Sequence, residues 1–280
     1  MFIGNFAALF AIMPFYDFSL EATMSFLGSP LSDPDGRVPL LIVQAMASFF
    51  AFVLAPLLYI RMYEKGDLTN YTKGPEPMSS AVMLSVLMAF TFMFVNAPII
   101  EWNINIQFPK FFEDFARPQE ELLQRITEYL TDFDNTGQFL LATLIIAILP
   151  GIGEELLFRG LIQNKFNKIF KNIHVAIWAS ALLFGIFHMQ FYGMFPRMLL
   201  GVLFGYLYWW SGSLLLAVIA HAFNNGFTLL MVFMYQQGAT DFDIEGTEEI
   251  SWSAIAFSTL AFALLSHQFF KRIKHQPLNG

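Results

Sequence analysis

Eight long apolar runs constrain the fold of this chain more than any other feature of its sequence. They occupy residues 2–19, 38–60, 79–100, 138–158, 173–191, 196–211, 213–235 and 251–270. A stretch of about 20 mostly apolar residues is long enough to cross the hydrocarbon core of a bilayer as a helix. Composition agrees, since only 13% of the residues are charged, against roughly 25% in soluble proteins. We therefore predict an all-α polytopic membrane protein with about eight transmembrane helices around an intramembrane polar cavity.

The lysines and arginines indicate the orientation of these helices, because both residue types are enriched in cytoplasmic segments. With the N-terminus inside, ten of the 15 basic residues fall in cytoplasmic segments and the other five in outer ones. Acidic residues concentrate outside, with eight in 101–137 and five in 237–250. The N-terminal run lacks the basic region and cleavage site of a secretory signal, and we expect it to remain as the first span. The prediction is an integral protein of the cell (inner) membrane with both termini cytoplasmic.

Several classes of function are excluded or disfavoured by composition. The chain has no cysteine, which excludes disulfides, thiolate metal sites and a cysteine nucleophile. Its net charge of −7 comes from the acidic outer loops and gives no indication of nucleic-acid binding. The expected surroundings are the lipid bilayer. In the outer loop 101–137, the segment PQEELLQRITEYL keeps its apolar residues at helical spacing, which predicts an amphipathic interfacial helix.

Two adjacent glutamates, Glu154 and Glu155, are the only acidic residues inside a predicted span, apart from Asp17 at the edge of the first. An ionisable side chain in the hydrocarbon costs at least about 2.5–3.5 kcal/mol on insertion scales, so the pair calls for a partner or a function. Glu155 and Arg159 are four residues apart and share one helix face, whereas Glu154 lies about 100° around the helix. We predict a Glu155–Arg159 ion pair, with Glu154 directed between the helices. The alternative is a membrane boundary at Gly151, which leaves both glutamates in water.

Two histidines, His188 and His221, lie well within predicted spans, and Asn225 shares a helix face with His221. Individually, such residues commonly form interhelical hydrogen bonds. At a rise of 1.5 Å per residue, His221 lies about 12–15 Å and His188 roughly 20 Å from the inner face. Glu154 lies about 16 Å deep if the inner boundary is placed at Lys165. The three side chains then reach similar depths.

Three short motifs in these spans resemble a known signature. They are E-E-x-x-x-R at 154–159, F-x-x-x-H at 184–188 and H-x-x-x-N at 221–225. This set, in this order and in three separate apolar helices, is similar to that of the CPBP family of intramembrane proteases, which includes the type II CAAX prenyl endopeptidases and bacteriocin-processing proteins. We expect N-terminal transmembrane helices and an outer amphipathic segment over 1–137, a CPBP-like catalytic core over 138–235, and an acidic outer loop, last span and basic cytoplasmic tail over 236–280.

The resemblance implies hydrolysis of peptide bonds in a membrane-associated peptide or protein substrate. A positioned carboxylate can take a proton from water, and His and Asn donors can stabilise a developing oxyanion. The implied roles are a general base and its water-holding partner, Glu154 and His188; oxyanion stabilisers, His221 and Asn225; and structural support of the site, Glu155 and Arg159.

Alternatives to this mechanism stay open at this point. Two histidines and a glutamate form a catalytic zinc set, but the chain has no H-E-x-x-H motif, and Asn225 suits an oxyanion better than zinc. We therefore predict no cofactor, with zinc as the alternative. A transporter with a Glu/His proton relay is a second alternative, although the inverted repeats and paired broken helices common in such folds are not visible. An inactive membrane scaffold is disfavoured by the intact motifs.

Overall fold

The computed structural model describes residues 2–66, 71, 78–242 and 250–273, and it is helical without strands over these residues. Ten helices of at least nine residues follow one another there: α1 (Phe2–Ile12), α2 (Leu20–Gly28), α3 (Arg37–Glu64), α4 (Met78–Ile104), α5 (Lys110–Thr131), α6 (Thr136–Phe170), α7 (Ile173–Phe187), α8 (Met194–Ser211), α9 (Leu214–Gln236) and α10 (Trp252–Ile273). The predicted all-α class is confirmed.

Five of these helices, α3, α4, α6, α9 and α10, are long and apolar enough to cross a membrane. Two further apolar helices are shorter, namely α7 and the segment Gly4–Tyr16 that contains α1. Each of the eight predicted runs falls on a helix, with α8 covering the sixth run. The chain is therefore a polytopic membrane protein.

Two helices end at different residues from the apolar runs that predicted them. Helix α6 continues past residue 158 to Phe170, because the helix ends only where Lys171 adopts a left-handed φ of 52°. Helix α7 ends at Phe187 and not near residue 191, because Met189 adopts a left-handed φ of 56°. His188 therefore lies at the end of a helix and not well within one.

Helix α6 packs against α3, α7, α8 and α9. Two glycines that precede the glutamate pair permit this close packing. A Cβ atom at Gly151 would lie 3.1 Å from the backbone nitrogen of Ala222 on α9, and one at Gly153 would lie 2.7 Å from Cβ of Phe52 on α3. The sequence GIGEE thus brings two neighbouring helices close to α6 just before the glutamates.

The backbone of α6 also changes its winding at the glutamates. An α-helical stretch, Leu149–Glu155, is followed by a π-helical one, Leu156–Gln163. Such wider turns are rare and occur frequently at functional sites. Glu154 and Glu155 therefore occupy a point where the helix departs from regular geometry.

Helix α5 is the amphipathic helix predicted within 101–137, and Arg37 contacts the chain at and just after its C-terminal end. This arginine donates to the carbonyl of Tyr129 at 3.0 Å, and it forms ion pairs with Asp132 at 3.1 Å and Asp134 at 2.9 Å. Hydrogen bonds from Gln138 and Arg37 lower the pKa of Asp134. These contacts tie the start of α3 to the connection between α5 and α6.

Two predicted features fall partly outside the described residues. They are the acidic outer loop, of which 243–249 is not described, and the basic tail from residue 274 onward.

The predicted orientation of the helices in the membrane can be tested by cysteine labelling. A cysteine at Asn135, which is exposed, should react with impermeant maleimide only from outside, since the basic residues place 101–137 on that side. The matched control is a cysteine at exposed Lys168, which should react only from the cytoplasmic side. Both variants start from a chain without cysteine, so background labelling is absent. Reaction of the Asn135 variant from the cytoplasmic side alone would contradict the predicted orientation.

Candidate active site

Glu155 and Arg159 together join three helices through buried contacts. The side chain of Glu155 is 0% exposed, and its Oε1 accepts hydrogen bonds from Arg159 Nη1 on α6 and His221 Nδ1 on α9, both at 2.7 Å. Arg159, also buried, donates from Nη2 to the carbonyl oxygen of Gly201 on α8 at 3.0 Å. The predicted Glu155–Arg159 ion pair is confirmed, and its partners on α8 and α9 make it a junction between helices.

Two phenylalanine rings enclose this junction. The Arg159 guanidinium lies 4.6 Å from the ring centre of Phe184 and 5.5 Å from that of Phe204. The Phe204 ring stacks on His221 at 4.9 Å, and the Phe184 ring contacts His188 at 4.8 Å. Cation–π contacts are worth about 2 kcal/mol or more when they are desolvated. The rings therefore stabilise the buried guanidinium and also pack against the two imidazoles.

Glu154 points away from this ion pair, as its place on the helix predicts. Its Oε2 lies 3.9 Å from Nε2 of His188 and 3.9 Å from Nε2 of His221. This oxygen is buried and has no hydrogen-bond partner among the described residues. A separation of 3.9 Å is too long for a direct hydrogen bond, but it suits a bridge through one water molecule.

The hydrogen bonds of the two imidazoles determine which ring nitrogen faces Glu154. His188 Nδ1 lies 2.8 Å from the carbonyl oxygen of Phe184, and because a carbonyl only accepts, Nδ1 carries a proton. His221 Nδ1 likewise donates to Glu155. In the neutral form of each ring, Nε2 then presents a lone pair toward Glu154. Three acceptor atoms converge on one point, which suits a bound water that donates its two protons there and keeps its oxygen lone pairs free.

Asn225 lies one helical turn beyond His221 on α9, as the sequence predicts, but its hydrogen bonds go elsewhere. Its Nδ2 donates to the carbonyl oxygen of Ile146 at a long 3.4 Å, and its Oδ1 accepts from Asn224 at 3.2 Å. The structure therefore brings Glu154, His188 and His221 together and leaves Asn225 bonded at the margin of the site.

The three converging side chains have the residue types of a zinc site but a wider spacing. Ligands bound tetrahedrally to zinc at about 2.0–2.1 Å lie about 3.3 Å from one another. Here the carboxylate oxygen and each imidazole nitrogen are 3.9 Å apart. Over the described part of the chain, no group of three His, Cys, Asp or Glu side chains has metal-binding geometry. The spacing of these three atoms is therefore wider than that of the ligands in a formed zinc site.

Two contributors to the site are not predicted from the sequence. The carbonyl of Gly201 and the ring of Phe204, both on α8, contact Arg159 and His221 respectively. They lie three residues apart on one helix face, but an apolar residue and a backbone group carry no signal that separates them from ordinary packing.

Comparison with known proteins shows that the segment around this site is similar to one family. Residues 136–227 match the family model described as type II CAAX prenyl endopeptidase Rce1-like. The match spans α6, α7, α8 and the part of α9 that carries His221 and Asn225. No curated protein and no solved structure gave a significant match to the chain. The three motifs and the side chains that converge all lie within this matched segment, so residues 136–227 are similar to the Rce1-like type II CAAX prenyl endopeptidases.

Proposed function

We propose that this protein is an intramembrane endopeptidase that hydrolyses peptide bonds of membrane-associated peptides or proteins with a water activated by Glu154 and His188. The observation that carries the proposal is the convergence of three side chains, in which Nε2 of His188 and of His221 each lie 3.9 Å from Glu154 Oε2. This convergence lies within the segment that matches the Rce1-like family. The reaction needs no cofactor.

In the proposed reaction, the bound water donates hydrogen bonds to Glu154 and His188. Glu154 takes one proton as the water oxygen attacks the carbonyl carbon of the scissile bond. The proton then passes to the leaving nitrogen, the carbon–nitrogen bond breaks, and a carboxylic acid and an amine are released. The proton transfers in both steps use only the carboxylate and one water molecule.

The oxyanion of the tetrahedral intermediate requires hydrogen-bond donors. His221 supplies one when its Nε2 is protonated, because the carboxylate of Glu155 at Nδ1 balances the charge of that imidazolium. Asn225 supplies a second after its side chain leaves the long 3.4 Å bond to Ile146. Glu155 and Arg159 support the site by holding His221 in place.

These assigned roles predict a graded series of activities. His188→Ala should lower the turnover number about as much as loss of the general base, since the water loses its second acceptor. Asn225→Ala should retain measurable turnover, because removal of one oxyanion donor typically costs about 100- to 1,000-fold. The measurement is the initial rate of cleavage by purified protein in liposomes, with prenylated and unprenylated peptides as separate probes. A greater loss in Asn225→Ala than in His188→Ala would contradict the assignment.

The zinc alternative is decided by two measurements on the same preparation. The metal-free mechanism predicts substoichiometric zinc in the purified active protein and no loss of rate with a chelator. Stoichiometric zinc, together with a chelator effect that added zinc reverses, would replace the proposed mechanism with a zinc-dependent one at the same residues.

A further inference from the structure

The backbone directly after His188 is strained. Met189 has a left-handed φ of 56°, which is uncommon for a bulky residue without a glycine's freedom. Residues in such conformations persist only where the surroundings hold them. We call residues 188–193, which connect α7 to α8, the His188 turn. Its conformation determines where the imidazole of His188 lies relative to Glu154.

Helix α5 holds this turn from outside the matched domain. Oε2 of Glu120 accepts from the backbone nitrogen of Tyr192 at 3.2 Å, and Oε1 accepts from Nε2 of Gln190 at 3.4 Å. Oε2 of Glu113 accepts from the Tyr192 hydroxyl at 2.5 Å, and the Arg117 guanidinium lies 4.0 Å from the Tyr192 ring centre. Three successive turns of α5 therefore contact one short connection.

The charge state of these groups favours the contacts at neutral pH. Hydrogen bonds from Tyr192 and Arg117 lower the pKa of Glu113. Burial is the largest cause that raises the pKa of Tyr192 to about 12, and the hydrogen bond to Glu113 is the second. The carboxylate thus stays ionised and the hydroxyl stays protonated, which is the combination that their hydrogen bond requires.

Two more contacts hold the His188 turn from α4 and α8. Asn103 at the end of α4 donates to the Phe191 carbonyl at 3.1 Å and accepts from the backbone nitrogen of Phe195 at 2.9 Å. Arg197 on α8 donates to Oε1 of Gln190 at 2.7 Å. Because the Gln190 amide also donates to Glu120, it connects α5 to α8 only two residues from His188.

We propose that Glu120 is a positioning residue for His188. The amphipathic helix α5 then contributes to the geometry of the active site, although it lies outside residues 136–227. The carboxylate oxygens of Glu120 accept hydrogen bonds from the strained turn, and these bonds keep the turn in the conformation that directs His188 Nε2 toward Glu154. Without this carboxylate, Met189 relaxes toward negative φ and the imidazole shifts. The proposal rests on the proposed function only in its effect on turnover, since the position of the turn is a property of the fold.

The test compares Glu120→Ala with Glu120→Gln and with Glu121→Ala. Glu121 is the matched control, because it is the next residue, is exposed and has no hydrogen bond to the His188 turn in the described structure. Glu120→Ala should lower kcat by about 10- to 100-fold with little change in KM, since a displacement of about 1 Å at a catalytic group can cost about 100-fold. Glu120→Gln should recover most of the loss, because its amide oxygen still accepts from Tyr192. Glu121→Ala should match the wild type.

A second readout is independent of activity. A nitroxide attached to the Met189→Cys variant, whose chain has no other cysteine, reports the motion of the turn by electron paramagnetic resonance. Glu120→Ala should make this label more mobile, whereas Glu121→Ala should not. An unchanged spectrum with wild-type kcat would overturn the proposal, and so would a loss of activity explained by less folded protein with an unchanged spectrum. If the wild type cleaves no peptide, the proposed function fails, and the spectrum alone still decides whether Glu120 holds the turn.

Discussion

Replacement of Glu154 by glutamine is expected to lower peptide cleavage by about 100- to 10,000-fold, which is the usual contribution of a general base. Glutamine has almost the same shape and keeps one acceptor oxygen, but its amide cannot take a proton from water. Its NH₂ group would also donate hydrogen bonds toward the two Nε2 atoms, where the proposed water would bind. The loss should therefore appear in turnover and not in folding.

The control for this variant is its stability. Glu154 Oε2 has no hydrogen-bond partner among the described residues, so glutamine breaks no contact that supports the fold. Thermal unfolding in detergent and the yield of monodisperse protein should match the wild type. A Glu154→Gln protein that cleaves peptides at the wild-type rate would remove the protease assignment, and a proton-relay transporter would then be the better account of the buried glutamate.

The second large effect is expected at Arg159. Removal of one partner from a buried ion pair typically costs about 3–5 kcal/mol, because the other charge is left without compensation. Arg159 is 1% exposed, and Arg159→Ala would remove the ion pair to Glu155, the bond to Gly201 and the contacts with two aromatic rings. We expect a large fall in the free energy of unfolding and in the amount of folded protein.

The matched comparison is Glu155→Gln, which should be milder. Glutamine keeps an oxygen that accepts from Arg159 and His221, and the guanidinium keeps the Gly201 carbonyl and the faces of Phe184 and Phe204. Chemical or thermal unfolding of both variants in the same detergent measures the difference. Wild-type stability in both variants would show that these charges lie in water, as expected for a membrane boundary at Gly151.

The local geometry of the site could be predicted because it depends on one helix. Residues four apart share a face, so the Glu155–Arg159 pair and the different direction of Glu154 follow from helical periodicity alone. The grouping of Glu154 with His188 and His221 was predicted from depth along separate helices. Depth gives no lateral position, and the bond from His221 to Glu155, 66 residues apart in sequence, depends on how α6 and α9 pack.

Other features could not be predicted because hydropathy does not report them. Helix α6 extends well beyond the apolar run, since lysines and asparagines in NKFNKIFK do not break a helix. Helix α2 lies in a segment with no long apolar run, and its N-terminus is capped by Ser19, whose side chain accepts from the backbone nitrogen of Ala22. The contacts of Glu120 with the His188 turn join parts of the chain about 70 residues apart, and an exposed-looking glutamate on an amphipathic helix gives no sign of them.

Hydrolysis of a peptide bond by this chain in a membrane is most directly measured by mass spectrometry of a peptide pool incubated with the purified protein in liposomes in ¹⁸O-labelled water. The wild type should generate new C-termini that carry ¹⁸O from the solvent, together with the matching new N-termini. The same preparation of Glu154→Gln should generate neither above background. Identical products from both proteins, or no new termini from a folded wild type with any membrane peptide pool, would contradict the account.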